Sequence, residues 1–202
     1  MNERPRRLLE IAGAPLNSSP TDKSALVLID AQLEYVTGIL PLKGMDAAIA
    51  EARRLLNVAR RQGIPIFHIA HHARPGAPAF DPDGPGAAFI PDLAPAPGET
   101  TIVKSLPNSF ARTNLHELIQ ATGRNELIIA GFATHMCVSA TARAALDVGY
   151  RTTIVAGATA TRDLPNPLGD GITPAEILFE GTLAALADRF AIVVRDVRAL
   201  TS

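Results

Sequence analysis

The chain has 202 residues, 19 Lys and Arg against 20 Asp and Glu, a net charge of −1, and 47% hydrophobic against 19% charged residues. A chain of that length and apolar content can bury a full core without metals or cross-links, which excludes an intrinsically disordered protein. A near-neutral balance with no long basic run argues against nucleic-acid or membrane-surface binding, since both need a concentrated positive field, and leaves a small molecule as the expected ligand.

In chain order, residues 1–22 come first. The stretch Leu8 to Ala14 is too short, and too interrupted by Glu10, for a secretory core, so this segment reads as a surface arm. A β-branched run, Ala25 to Asp30, follows, and then helical spacing from Asp46 to Arg61 closed by Gly63. Ile64 to His68 is the next strand. Residues 74–97 hold Pro75, Pro78, Pro82, Pro85, Pro91, Pro95 and Pro97. A segment that long and that irregular inside one domain reads as a lid or binding loop. Beyond it lie a strand at Thr101 to Val103, a helix at Leu115 to Thr122 ended by Gly123, and a strand at Glu126 to Ala130.

The helix expected over Cys137 to Val148, closed by Gly149, is rich in small residues, so its backbone can approach a sheet. The apolar middle, Leu127 to Ala142, falls short of the ~20 apolar residues a membrane helix needs. Thr152 to Ala156 is a strand, Thr173 to Leu186 a helix, and Ala191 to Arg195 a last strand. Thr173, Pro174 and Glu176 have the spacing of an N-cap, a first-turn proline and the reciprocal acid of a capping box. Alternating βα units with apolar strands predict helices on both faces of a parallel sheet. The expected fold is a single α/β domain over residues 1–202, three-layer and Rossmann-like, with a six-stranded mainly parallel sheet.

In such a sheet, ligands sit beyond the carboxyl ends of the strands. Three reactive residues fall there: Asp30 closes the first strand, Lys104 follows the third, and Cys137 opens the helix after the fourth. Each has an ordinary reading, because a lone cysteine is more often a small core residue, Asp30 could be a turn cap and Lys104 a surface lysine. Together they make a coherent site. A thiol at a helix start beside an ammonium is expected to have a thiolate-favouring pKa, with Asp30 moving the proton. With one cysteine no internal disulfide is possible, and a reducing, cytoplasmic location is expected.

Asp30-Ala31-Gln32, the run Lys104 to Phe110, and the run Gly131 to Val138 occur in order and resemble the isochorismatase-like cysteine hydrolases, which include nicotinamidases, N-carbamoylsarcosine amidases and isochorismatases. The resemblance implies an Asp-Lys-Cys triad on Asp30, Lys104 and Cys137. It also implies a cis peptide at Phe132-Ala133, with the amides of Ala133 and Cys137 as oxyanion hole. Gln32, Tyr35, Phe110, Thr134, His135 and Thr161, just beyond strand ends, are the expected substrate-binding residues. Hydrolysis of a small amide or related C–N bond through a thioester is the implied activity. Vinyl ether hydrolysis with the aspartic acid as proton donor is the alternative within the family, and a non-catalytic metabolite-binding or assembly protein the alternative outside it.

No cofactor is assigned. The nicotinamidase branch holds a metal on an Asp-x-His pair near the end of its second strand, and here Ala70 stands two before His72. No metal is therefore assigned to His68, His71 or His72, and whether His71 and His72 line the pocket stays open. The chain also lacks a phosphate-loop or dinucleotide glycine pattern. Family members associate as dimers or larger, so a homo-oligomer is expected.

Overall fold

The computed structural model describes residues 4–200, and Met1, Asn2 and Glu3 of the expected arm lie outside the described residues. The rest of that arm is anchored. Helix α1 (Leu8–Ile11) buries Leu9, and the Leu8 amide donates to Asp188 Oδ1 at 2.7 Å.

In chain order the strands are β1 (Ser24–Ile29), β2 (Ile66–His71), β3 (Thr100–Lys104), β4 (Glu126–Phe132), β5 (Arg151–Ala160), β6 (Leu164–Pro165), β7 (Ile172–Thr173) and β8 (Ile192–Val194). Six of them form one sheet in the order β3-β2-β1-β4-β5-β8, with every neighbouring pair parallel. β6 and β7 make a small separate antiparallel pair. β5 runs longer than its apolar pattern implied, and its register against β4 jumps between Ile129 and Gly131.

β1 is buried along its whole length, and its residues alternate between two cores. Leu26 and Leu28 pack with Leu55 and Leu56 of α2 (Met45–Gln62). Ala25, Val27 and Ile29 pack on the opposite face, against α3 (Leu115–Ala121), α4 (Ser139–Asp147) and α5 (Ala175–Arg189) through Leu115, Ile119, Ala142, Ala145 and Leu186. This is the three-layer α/β arrangement. Burying each such aliphatic side chain is worth about 1.5–3 kcal/mol, so the two apolar faces of the sheet are what hold the helices in place.

The expected capping box at the start of α5 does not form. Thr173 is taken up in β7, Pro174 occupies the cap position, and the Ala175 amide donates instead to Asp163 Oδ1 at 2.8 Å. A carboxylate twelve residues upstream does the capping, held in turn by Lys43 at 2.9 Å.

The proline-rich segment lies pinned along the exit from β1. Leu33 and Ile90 donate their amides to the carbonyls of Ala88 and Ala31 at 2.8 Å each, and Gln32 bridges to Phe89. Phe80, Ile90 and Leu93 are buried, which anchors the segment at several points.

Chain order sets where a site can form. β2 and β3 extend from one side of β1 and β4 and β5 from the other, so the order reverses between β1 and β4, and a crevice opens beyond their carboxyl ends.

Candidate active site

Asp30 directly follows β1 in a left-handed backbone conformation, φ 46°, which short acidic side chains tolerate better than most. Lys104 and His71 are the last residues of β3 and β2, paired across the ladder. Cys137 lies in a widened π-type turn, Thr134–Val138, that joins β4 to α4. Neighbouring strand ends thus deliver three of these side chains and the turn delivers the fourth.

The chain passes through the switch point with no room to spare. At Gly131, φ is 109° and an added Cβ would lie 2.0 Å from the Ile29 carbonyl oxygen, so only glycine fits between β4 and β1. Immediately after it, the Phe132-Ala133 peptide is cis. The Ala133 carbonyl accepts the amides of Met136 and Val138, at 3.1 and 3.2 Å, and not that of Cys137 between them.

Asp30, Lys104 and Cys137 meet, and all three are buried. Lys104 Nζ donates to Asp30 Oδ2 at 2.7 Å and to Cys137 Sγ at 3.3 Å. It is also 3.2 Å from His71 Nδ1, which as partner of an ammonium must accept, placing the ring hydrogen on Nε2. The second carboxylate oxygen, Asp30 Oδ1, is buried without a hydrogen-bond partner.

The electrostatics correct one expectation. Cys137 is not a low-pKa thiol: burial, reinforced by the negative charge of Asp30, pushes it up to about 12, and Lys104 offsets only part of this. The sequence reading placed an ammonium beside the sulfur and left out the cost of taking a thiolate out of water. Asp30 is likewise raised by burial, against the opposing pull of Lys104. Burial, helped by the Lys104 charge, lowers His71 to about 4, so this imidazole is neutral near pH 7.

A cavity of about 240 Å³ opens over the sulfur, walled by Tyr35, Leu40, His71, Phe80, Pro107, Ala133, His135, Met136, Cys137 and Arg162. Other hollows, of about 350 Å³ beside Lys43 and Phe179 and about 480 Å³ beside Arg60 and Glu99, include none of Asp30, Lys104 and Cys137 in their walls.

Of the residues expected to bind substrate, Tyr35 and His135 reach the cavity, and Thr161 stands behind it in contact with His135 Nδ1. Gln32 and Thr134 do not wall it. Gln32 is fully buried and committed to the backbone of His71 and Ala87, and the Thr134 hydroxyl donates to the Ala160 carbonyl. Phe110 lies elsewhere, stacked on Tyr150 with ring centres 5.9 Å apart and packed in the core around α3. Its position after the third strand suggested the pocket, but the chain turns away from the crevice at that point.

Phe80 and Arg162 were missed. Arg162 follows Thr161 directly, so the run beyond β5 already pointed to it. Nothing local marks Phe80, which reaches the cavity only because its loop folds back. His71 was legible as a residue near the pocket and not as the third neighbour of Lys104. His72 donates its amide to the Lys104 carbonyl, and its ring is not among the cavity walls. Among the described residues, no three His, Cys, Asp or Glu side chains cluster as metal ligands.

Fold and site together define an α/β enzyme with a cysteine at the switch point of its sheet. Residues 24–167 match the Isochorismatase domain family, and the chain belongs to that family of hydrolases. It superposes on a crystal structure of an isochorismatase from Pseudomonas putida KT2440 with a TM-score of 0.90 and 43% identity, covering 95% of this chain and 97% of that one. It is 34% identical over 90% of its length to the secreted isochorismatase effector Isc1 of Verticillium dahliae, of which it covers 93%. A maleamate amidohydrolase from Pseudomonas putida is 32% identical over 66% of this chain and 70% of its own. No helix among the described residues is long and apolar enough to cross a membrane.

Proposed function

We propose that this hydrolase cleaves a small amide through a thioester on Cys137, with Asp30 moving protons and Lys104 holding the charges in place. The observation that carries this reading is the position of one ammonium, 2.7 Å from the Asp30 carboxylate and 3.3 Å from the sulfur of Cys137, which lines a cavity. The amidohydrolase relative supports C–N cleavage.

The steps follow from the charges. At rest the thiol keeps its proton, because burial penalises the thiolate. As sulfur attacks the amide carbon, the thiol proton passes to Asp30, whose affinity for protons burial has raised. The carbonyl oxygen becomes an oxyanion, which in this reading accepts hydrogen bonds from the Ala133 and Cys137 amides. One such donor is typically worth about 3–4 kcal/mol of barrier. Asp30 then protonates the departing nitrogen and the C–N bond breaks, leaving a thioester. A water, deprotonated by Asp30, attacks the thioester carbon, and the sulfur leaves and regains its proton, releasing a carboxylic acid.

The cavity suggests the substrate class. Its volume of about 240 Å³ suits an acyl group of a few carbons, and its walls are mostly apolar. Arg162 is the one Lys, Arg, Asp or Glu among the walls and, among the described residues, joins no salt bridge. It suits an amide whose far end carries a carboxylate. A cytoplasmic homo-oligomer completes the reading, resting on the lone cysteine and on the family resemblance.

Ammonia release from a panel of small monoamides, with and without a terminal carboxylate, is the test, together with intact-mass detection of an acyl adduct after acid quench. Wild type is expected to turn over at least one carboxylate-bearing monoamide and to show the adduct, and Cys137→Ala to do neither. Unchanged turnover by Cys137→Ala overturns the proposal. Loss of isochorismate hydrolysis in Asp30→Asn alone would instead favour vinyl ether chemistry, for which a raised carboxyl pKa is equally suited.

A further inference from the structure

The mechanism leaves two buried acids unused, Glu34 and Glu51, and Glu51 is paired with Arg54. Glu34 is 4% exposed, in the short turn Leu33–Tyr35 that follows Asp30 and Gln32. No cation pairs with it among the described residues; its carboxylate is held by backbone. Oε1 accepts the Ile39 amide at 2.7 Å, and Oε2 accepts the Phe80 amide at 3.2 Å. Two glycines make the space: a Cβ at Gly38 would lie 2.4 Å from Oε1, and one at Gly86 would lie 2.2 Å from Oε2. The carboxylate is therefore wedged between the loop after β1 and the proline-rich segment, and ties the two together.

The tie ends on a residue in an unusual conformation. Phe80 has φ 53°, rare for a bulky side chain and sustained only where the surroundings over-determine it. Its amide is held by Glu34, and its carbonyl accepts the Ala73 amide at 2.9 Å. So fixed, the ring stands edge-on to both Tyr35 and His71, with centres 5.2 and 5.0 Å away, and forms a wall of the Cys137 cavity.

We propose that Glu34 is a positioning residue that sets the size limit of the active site by clamping Phe80 over Cys137. The clamp, and not the catalytic trio, confines the enzyme to small acyl groups. This deepens the amidase reading and rests on it for the word "acyl", but the wall itself can be probed without any substrate. Glutamine at position 34 would keep the size and lose one of the two acceptors. Truncating Phe80 would remove the wall.

The test uses the single cysteine as a reporter. Alkylation of Cys137 is followed by intact mass with iodoacetamide and with the bulkier N-benzyl iodoacetamide, at fixed pH, and the ratio of the two rates is the readout. A general loss of folding would speed both reagents alike, whereas loss of the wall speeds the bulky one selectively. Wild type is expected to prefer iodoacetamide by at least about 10-fold, the scale at which apolar pockets discriminate by size. Phe80→Ala should bring the ratio near 1, and Glu34→Gln should lower it at least about 3-fold. Gly86→Ala, whose new methyl displaces the carboxylate while leaving its charge, should do the same, and it decides the matter together with Phe80→Ala if Glu34→Gln fails to fold. Ratios within about 2-fold of wild type in folded Phe80→Ala and Gly86→Ala overturn the proposal. A shifted ratio in a protein that hydrolyses no amide would sink the amidase reading and leave the clamp standing.

Discussion

Lys104 Nζ touches Asp30 Oδ2 at 2.7 Å while Asp30 Oδ1, buried beside it, has no partner. A carboxylate in a dry site is costly to keep ionised, and Lys104 is the larger of the two neighbours that favour its charge, ahead of the Cys137 thiol. Replacing Lys104 by methionine should therefore destabilise the fold by about 3–5 kcal/mol, because it strands a buried charge. The double variant with Asp30→Asn should recover most of that loss. Urea unfolding of the two variants near pH 7 checks this, and equal destabilisation in both would contradict it.

Stability should also fall in acid, in two windows that overlap only between about 4 and 4.5. His71 titrates in the fold at about 4 instead of 6.5, so between those values the unfolded chain binds a proton that the folded one refuses. Stability is then lost as pH drops from about 6.5 to about 4, in the direction linkage requires when the unfolded state holds more protons. At Glu99, burial works to raise the pKa, but hydrogen bonds from Arg60, the Ala96 amide and His68 bring it down to about 2 from 4.5. Its contribution is present above about 4.5 and is lost from there down to about 2. Melting temperatures across this range should show both slopes, at roughly 2–4 °C per kcal/mol for a chain this size. His71→Gln should lessen the upper slope, to which His68 and His135, also lowered by burial, contribute, and leave the lower one.

Arg162 offers a test of substrate charge. Its replacement by leucine should raise KM for a carboxylate-bearing monoamide by about 10–100-fold, the loss of a charged hydrogen bond, and leave a neutral amide of the same length almost unaffected. Steady-state kinetics on the two substrates separates this from general damage, which would slow both.

Gly131→Ala should be among the most damaging single changes in the chain. The added methyl would meet the Ile29 carbonyl at 2.0 Å, and the backbone there has φ 109°. A loss of at least about 4 kcal/mol, or no soluble protein, is expected, since neither strand can withdraw without opening the centre of the sheet. A normal melting temperature for this variant would mean that β1 and β4 are not held so closely.

Much of this protein was written locally. Runs such as Ala25 to Ile29 and Glu126 to Ala130 are β-branched and apolar, so they form strands buried on both faces wherever the chain goes. The helical spacings between them force a parallel sheet, and with it the crevice at the strand ends. Asp30 and Lys104 at such ends, and Cys137 in the turn beyond another, could therefore be picked out from their positions in the sequence. Tertiary structure decided what those groups are like when they meet. Burial turned an expected thiolate into a thiol, the proline-rich segment folded back to put Phe80 on the cavity, and Asp163 took the cap that Thr173 was spaced to provide. Phe110, at an equally promising position, turned into the core. Strand and helix preferences depend on near neighbours in the chain, whereas solvation and charge depend on atoms brought in from dozens of residues away, and those exist as neighbours only after folding.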